Sequence, residues 1–194
     1  MERKDLTDEQ LMVIFKMGNN QAFDVLFDKY KHRVFRYIYN FVGRDTSLAE
    51  DVVQEIFINL FLKKQSFNPE MKFSTWLYTM ARNACINRAK SKNYREKKMT
   101  FSLDQGYESL DLSKPEKDNL PAKKMEQAEL RKVIEEAIGM LPEKYRETFI
   151  LHELEGLSYS QLADILETNE ATIRTHYHRA RNLLKEKIEP YLEE

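Results

Sequence analysis

Apolar residues recur at steps of three and four in two separate blocks of this chain, and between the blocks the period disappears. That pattern predicts helices, since a half-buried strand would alternate at a step of two. In the first block, Ala22, Leu26, Tyr30, Val34, Ile38 and Phe41 mark one helix over 22–42. Leu48, Val52, Ile56, Phe57, Leu60 and Phe61 mark a second over 48–62, with Ser47 and Glu50 spaced as a capping box. Asn68-Pro69 ends it, and Ser74 or Thr75 is placed to cap a third helix running through Trp76, Leu77, Met80, Ala81 and Ala84. Only 5 Gly and 5 Pro occur among 194 residues, too few for a turn-rich β-sandwich.

Residues 99–128 lose the period and carry Pro115 and Pro121 among scattered polar residues. A stretch of that length is long for a loop within one compact domain. The expected architecture is all-α: two small helical domains, 1–97 and 129–194, joined by a flexible linker over 98–128. Beyond the linker, Leu130, Val133, Ile134, Ala137 and Leu141 predict a helix ended by Pro142. Glu143–Leu154 reads as another, with Gly156 as its left-handed end. Ser158 and Gln161 form a capping box for a helix over Tyr159–Leu166. A polar turn then leads into a last helix from about Glu170 to Ile188. Helix, tight turn and longer helix is the helix-turn-helix pattern, whose second helix lies in the major groove of DNA.

Summed charge argues against a nucleic-acid partner: 31 Lys+Arg meet 32 Asp+Glu. The distribution reverses that reading. Residues 21–97 are net +6 and residues 129–194 net −5. Seven bases crowd 82–98, and six acids with no base occupy 147–170. Five bases follow between Arg174 and Lys187. Two basic segments, each preceded by an acidic one, predict separate surfaces for separate partners.

On the last helix, Ile173, Tyr177, Ala180 and Leu184 make a core stripe, leaving Arg174, Thr175, His178 and Arg179 for DNA. Arginine bridges guanine bidentately, and Thr or His contacts bases or phosphates. The third helix mixes aromatics with bases, a combination that stacks unpaired bases against cations. Its Asn83, an amide in mid-helix, is a candidate base reader. Asp51, Gln54 and Glu55 beside Phe57 and Ile58 suit a protein contact.

Enzyme chemistry finds no foothold: there is no glycine-rich phosphate loop, GxSxG elbow or HExxH. His176 and His178 stand two apart on a helix and point to different faces, a poor metal pair. No cofactor and no metal is expected. The single cysteine, Cys85, allows no internal disulfide, and no run approaches a membrane span or signal core. The expectation is a soluble, cytoplasmic protein without membrane insertion.

Three motifs in order resemble a known family. "AEDVVQEIFINLF" (49–61) is similar to the core-binding helix of region 2 of bacterial sigma factors. "FSTWLYTMARNACINRAK" (73–90) is similar to the helix that opens and reads the −10 promoter element. The segment from Leu141 to Lys185 resembles the region 4 helix-turn-helix that reads the −35 element. With no region 3 between them, the chain resembles the extracytoplasmic-function (ECF, group IV) class of the sigma-70 family.

That resemblance implies roles by position. Asp51, Gln54, Glu55 and Phe57 would grip the β′ clamp coiled coil of core RNA polymerase. The loop Ser66–Lys72, including Phe67, together with Trp76 and Asn83 would hold a flipped −10 base, and Arg82, Arg88 and Lys90 would follow the DNA backbone. Arg174, Thr175, His178 and Arg179 would face the −35 major groove. The linker would run towards the RNA exit path, and the acidic helices of region 4 would meet the β-flap. Implied partners are promoter DNA, an anti-sigma factor and, because region 4 is net acidic, an additional DNA-targeting factor. Pro69 departs from the small residue common at its place in the family. Two readings from other classes compete: a free-standing helix-turn-helix regulator with a helical sensor domain, and a helical enzyme built around a buried ionisable cluster.

Overall fold

The computed structural model describes residues 6–90 and 132–191; the expected linker, 98–128, lies outside the described residues. All regular structure among the described residues is helical. The N-terminal bundle consists of α1 (Asp8–Lys16), α2 (Asn20–Phe41), α3 (Thr46–Leu62) and α4 (Phe73–Lys90).

The sequence reading has no counterpart for α1, because its 9 residues hold barely two apolar repeats. It forms nonetheless. Thr7 Oγ1 accepts from the Gln10 N–H at 3.2 Å and Gln10 Oε1 from the Thr7 N–H at 2.9 Å, a complete capping box. Leu11, Met12 and Phe15 then enter the core.

Two helix starts differ from expectation. The cap of α3 is Asp45, whose Oδ1 accepts the Leu48 N–H at 2.9 Å. The cap stands two residues earlier than expected, directly after Arg44 at φ 69, so Ser47 already lies inside the helix. For α4 the terminal N–H of Phe73 donates to Glu9 Oε1 at 3.2 Å. A carboxylate from another helix thus replaces Ser74 or Thr75. Burial alone would raise the Glu9 carboxyl, but these backbone N–H groups, Thr7 and Lys72 hold it below its usual range.

The C-terminal bundle begins with α5 (132–139) and α6 (Glu143–Phe149), which continues as a π turn over Ile150–Leu154. Gly156 has φ 69, a conformation that glycine adopts without a Cβ clash. The capping box of Ser158 with Gln161 opens α7 (Tyr159–Ile165) as expected. α8 (Glu170–Ile188) follows with Asn169 as its cap and spans the expected range. Ile173, Ala180 and Leu184 are buried, while Tyr177 is half-buried at the edge of the stripe.

The two bundles share one continuous core and pack directly on each other. Tyr37, on α2, donates to Glu147 Oε1 at 2.7 Å, and Tyr78, on α4, donates to Glu155 Oε2 at 2.5 Å. The tyrosine rings meet edge to face at 5.6 Å, within the favoured range for aromatic pairs.

Cys85 lies in this core at 1% exposure, and burial pushes its thiol up to about 12, with the Glu147 and Glu55 charges adding to the rise. At pH 8 the thiolate fraction is then on the order of 10⁻⁴, and the thiolate is the reactive form. We expect negligible labelling of Cys85 by a disulfide reagent in the native chain and stoichiometric labelling in denaturant. Rapid labelling under native conditions would contradict the buried placement.

Candidate nucleic-acid interface and partner face

Aromatic packing sets the first surface. Phe67, in the loop after α3, is buried against Trp76 at 5.3 Å and Phe73 at 6.1 Å between ring centroids. Lys16 Nζ donates to the Phe67 carbonyl at 2.8 Å, and Gln65 Nε2 donates to the Lys16 carbonyl at 3.1 Å. α1, the helix invisible to the period, therefore staples this loop. Ser66 and Lys72 are left exposed on it, beside a shallow cleft lined by Leu6, Val13, Ile14 and Pro69.

Along α4, Trp76, Met80, Asn83, Asn87 and Lys90 fall at steps of three and four, a stripe on one side of the helix. It passes from half-buried apolar to exposed polar. Trp76 joins the Phe67 loop directly. Asn83 does not: seven residues of helix beyond Trp76 put it ~10 Å further along the axis.

Arg82 points away from this stripe. Its Nε lies 3.3 Å from Glu147 Oε1 of the C-terminal bundle and, among the described residues, finds no hydrogen-bond partner. Arg88 reaches Glu55 Oε2 at 3.3 Å, linking α4 to α3.

The second surface is the outer face of α3. Asp51, Gln54 and Glu55 are exposed. Phe57 departs from its expected role. It is buried, with its ring edge-on to Phe27 at 4.8 Å, and so belongs to the core. The exposed apolar residues beside the three polar ones are Ile58, Phe61 and Leu62, at 59%, 39% and 72% exposure.

The third surface is on α8. Arg174, Thr175, His178 and Arg179, at i, i+1, i+4 and i+5, share one exposed face. Arg174 lies over the Tyr159 ring at 5.4 Å, and Arg179 donates to the Tyr145 hydroxyl at 3.0 Å. These contacts order both guanidiniums while keeping them in solvent. His176 turns inward against the Tyr145 ring at 5.4 Å; burial first, then Lys144 and Arg179, depress its pKa. The two histidines thus face apart as expected, and among the described residues no group of three His, Cys, Asp or Glu is placed to hold a metal.

Sequence reasoning missed the acids facing the N-terminal bundle. Glu155 has no exposed side-chain area and accepts Arg33 Nε at 2.9 Å and Arg36 Nε at 3.0 Å. Arg33 Nη2 donates to the Glu155 carbonyl at 2.5 Å and Arg36 Nη2 to the Leu154 carbonyl at 2.8 Å. Burial raises the Glu147 carboxyl above its usual range, against the pull of the Tyr37 hydroxyl and Arg82. Gln161 Nε2 donates to Ser74 Oγ at 3.1 Å and Thr75 Oγ1 at 3.2 Å, tying α7 to the first turn of α4. The available signal was a pair of tyrosines at core positions, whose hydroxyls need buried acceptors.

Comparison with known proteins adds an independent line. A family model described as Sigma-70 region 2 matches residues 26–95, and one described as Sigma-70, region 4 matches residues 131–184. The ECF RNA polymerase sigma-E factor of Haemophilus influenzae is 32% identical over 190 residues, covering 97% of this chain and 99% of that protein. The ECF RNA polymerase sigma factor SigW of Bacillus subtilis is 34% identical over 178 residues, covering 89% and 92%. Among solved structures, the sigma factor RpoE of Bartonella quintana in complex with the anti-sigma factor NepR superposes with a TM-score of 0.67 at 23% identity. It covers 87% of this chain and 98% of its own. CnrH in complex with the cytosolic domain of CnrY gives 0.65 at 21% identity, covering 94% and 97%. At these identities the two structures speak for the fold.

Proposed function

We propose, from the premise that this chain belongs to the sigma-70 family and to its ECF class, a division of labour among its three exposed surfaces. As an ECF sigma factor it binds core RNA polymerase and directs promoter-specific initiation through −10 and −35 recognition and promoter melting. It is a specificity subunit; the bond-forming chemistry belongs to the polymerase. We assign it to the cytoplasm; no described helix is long and apolar enough to cross a membrane.

The assignment of surfaces rests above all on one observation: the exposed side chains of α8 at its helix-turn-helix position are Arg174, Thr175, His178 and Arg179. These would contact the −35 element. Ser66 and Lys72 of the loop, with Trp76, Asn83 and Lys90 on α4, would hold the melted −10 strand, while buried Phe67 shapes the loop from within. Arg82 and Arg88 would reach phosphates once their glutamate partners release them. Asp51, Gln54 and Glu55 would meet the β′ clamp, with Ile58, Phe61 and Leu62 as apolar anchors. A described helical body over 6–90 and another over 132–191 fit domains 1–97 and 129–194 with the tether 98–128 between them. The acidic helices of the second would face the β-flap. An anti-sigma factor and an additional DNA-targeting factor complete the partner set.

Run-off transcription with core polymerase tests these assignments. Losing a bidentate arginine contact costs about 1–3 kcal/mol. Arg179→Ala should therefore lower −35-dependent initiation about 5- to 150-fold. Asn83→Ala should change −10 base preference with little change in melting temperature, since Asn83 is exposed. If both variants initiate normally at every cognate promoter, the site assignments are wrong. Tight duplex binding without core would instead favour the free-standing regulator.

A further inference from the structure

We propose that Tyr145, on α6 and outside the helix-turn-helix, is a specificity-determining positioning residue: its hydroxyl aims the Arg179 guanidinium at one base pair of the −35 element. The proposal rests on the assignment of Arg179 to −35 recognition, and it places part of the choice of base on a residue that lies off α8.

Three observations carry it. The first is how the tyrosine is seated. His176 and Arg179 stand one turn apart on α8, and Tyr145 lies against both. Its ring meets the His176 ring at 5.4 Å and 64° between planes, and its hydroxyl accepts from Arg179 Nη1 at 3.0 Å. The backbone beneath it is tied down: the Tyr145 N–H donates to the Pro142 carbonyl at 2.9 Å, and Arg146 Nη1 donates to the Gly139 carbonyl at 3.0 Å. A short side chain with a seated ring thus holds a long one that would otherwise sample many rotamers. Ordering Arg179 before DNA arrives removes a cost that binding would carry.

The second is which nitrogen the hydroxyl engages. Nη1 lies off the guanidinium edge that carries Nε–H and one Nη2–H side by side. That edge is the fork that fits the O6 and N7 acceptors of guanine. Adenine offers N7 beside the N6 amino group, so the same fork would set a donor against a donor. An arginine whose fork is fixed in direction therefore rejects the wrong pair more strongly than one that can swing aside.

The third is the contrast with Arg174, which lies over the Tyr159 ring at 5.4 Å. Stacking sets the height of a guanidinium above a ring and leaves its direction in that plane open. Only the Arg179 contact fixes direction. The contact is also charge-assisted: the Arg179 hydrogen bond, against a rise from burial and with the Arg179 and Lys144 charges, pulls the Tyr145 phenol below its ordinary range.

The test uses the full chain with core polymerase in run-off transcription, on promoters carrying each of the four base pairs at every −35 position. Arg179→Ala first locates the position that Arg179 reads, as the one where preference is lost. Tyr145→Phe keeps the ring on His176 and removes the acceptor. It should lower the preference at that same position about 2- to 12-fold, the range for one lost hydrogen bond. Preference at the other positions, the melting temperature and the salt dependence of promoter binding should stay as in the parent. Added to Arg179→Ala, Tyr145→Phe should change nothing further. Should Tyr145→Phe fail to fold, Tyr145→Leu, which also lacks the acceptor, carries the same measurement. Unchanged preference in a folded variant, at a position where Arg179→Ala abolishes it, overturns the role of Tyr145 alone. A uniform loss across all base pairs, with the salt slope reduced by about one, would make Tyr145 a phosphate contact and overturn the positioning role. If Arg179→Ala alters no −35 preference, the assignment of Arg179 falls and the proposal falls with it.

Discussion

Replacing Ile58 and Leu62 together by alanine is expected to lower affinity for core polymerase by about 2–4 kcal/mol, a loss of roughly 30- to 1000-fold. Both side chains are exposed on α3, at 59% and 72%, beside Asp51, Gln54 and Glu55. Exposed apolar residues contribute little to the free fold, so the melting temperature should move by only about 2 °C. Apolar anchors in a protein interface contribute strongly only when a partner removes them from water, as the proposed β′ contact would. The pair of measurements is diagnostic because the two effects separate. Titration of labelled core against the variant checks the first, and a thermal melt of the free chain the second. Unchanged core affinity would move the binding face off α3.

Phe67→Ala should do the reverse. Its ring is 1% exposed and sits against Trp76 and Phe73. Removing a buried phenyl ring costs about 3–5 kcal/mol, combining lost transfer energy with the cavity left behind. A cost of that size is a large fraction of the stability of a small domain. We expect a strongly lowered melting temperature, together with reduced −10 opening even at temperatures where the bundle remains folded. The second effect follows from the backbone: the Phe67 carbonyl accepts from Lys16, so losing the ring loosens the α1 staple on the loop. Phe67→Leu, which refills much of the space, should recover most of the stability. Equal stability of Phe67→Ala and the parent would show that the loop is not organised by this ring.

The helices with long apolar stripes were legible in the sequence, because their period reports which side of each helix is dry. α2, α3, α4 and α8 each hold three or more repeats, and the capping box at Ser158 marks α7 without help from tertiary structure. What was illegible depended on a partner elsewhere in the chain. The start of α4 is capped by Glu9, 64 residues away. The period placed Phe57 in the core stripe of α3 while the resemblance put it on the binding face; the structure buries it against Phe27. Glu147 and Glu155 read as part of an acidic surface for a separate partner. Their burial follows only from the arginines and tyrosines that the N-terminal bundle brings to them. The exposed faces of α3 and α8 were easier to find, since a residue left outside the apolar stripe needs no partner to be recognised.

The wide turn over Ile150–Leu154 also bears on how this chain tolerates insertions and deletions. A π turn is an α-helix carrying one surplus residue. Deleting a single residue there would let α6 run on as regular helix, and each residue of an α-helix advances by about 100°. The wide turn absorbs its surplus residue locally, so such a deletion would leave Glu155 near Arg33 and Arg36, whereas a deletion in the regular turns of α6 would rotate it by that angle away from them. A one-codon loss in the wide turn would then leave the register between the two halves of the molecule nearly as it is, and the same loss one turn earlier would not.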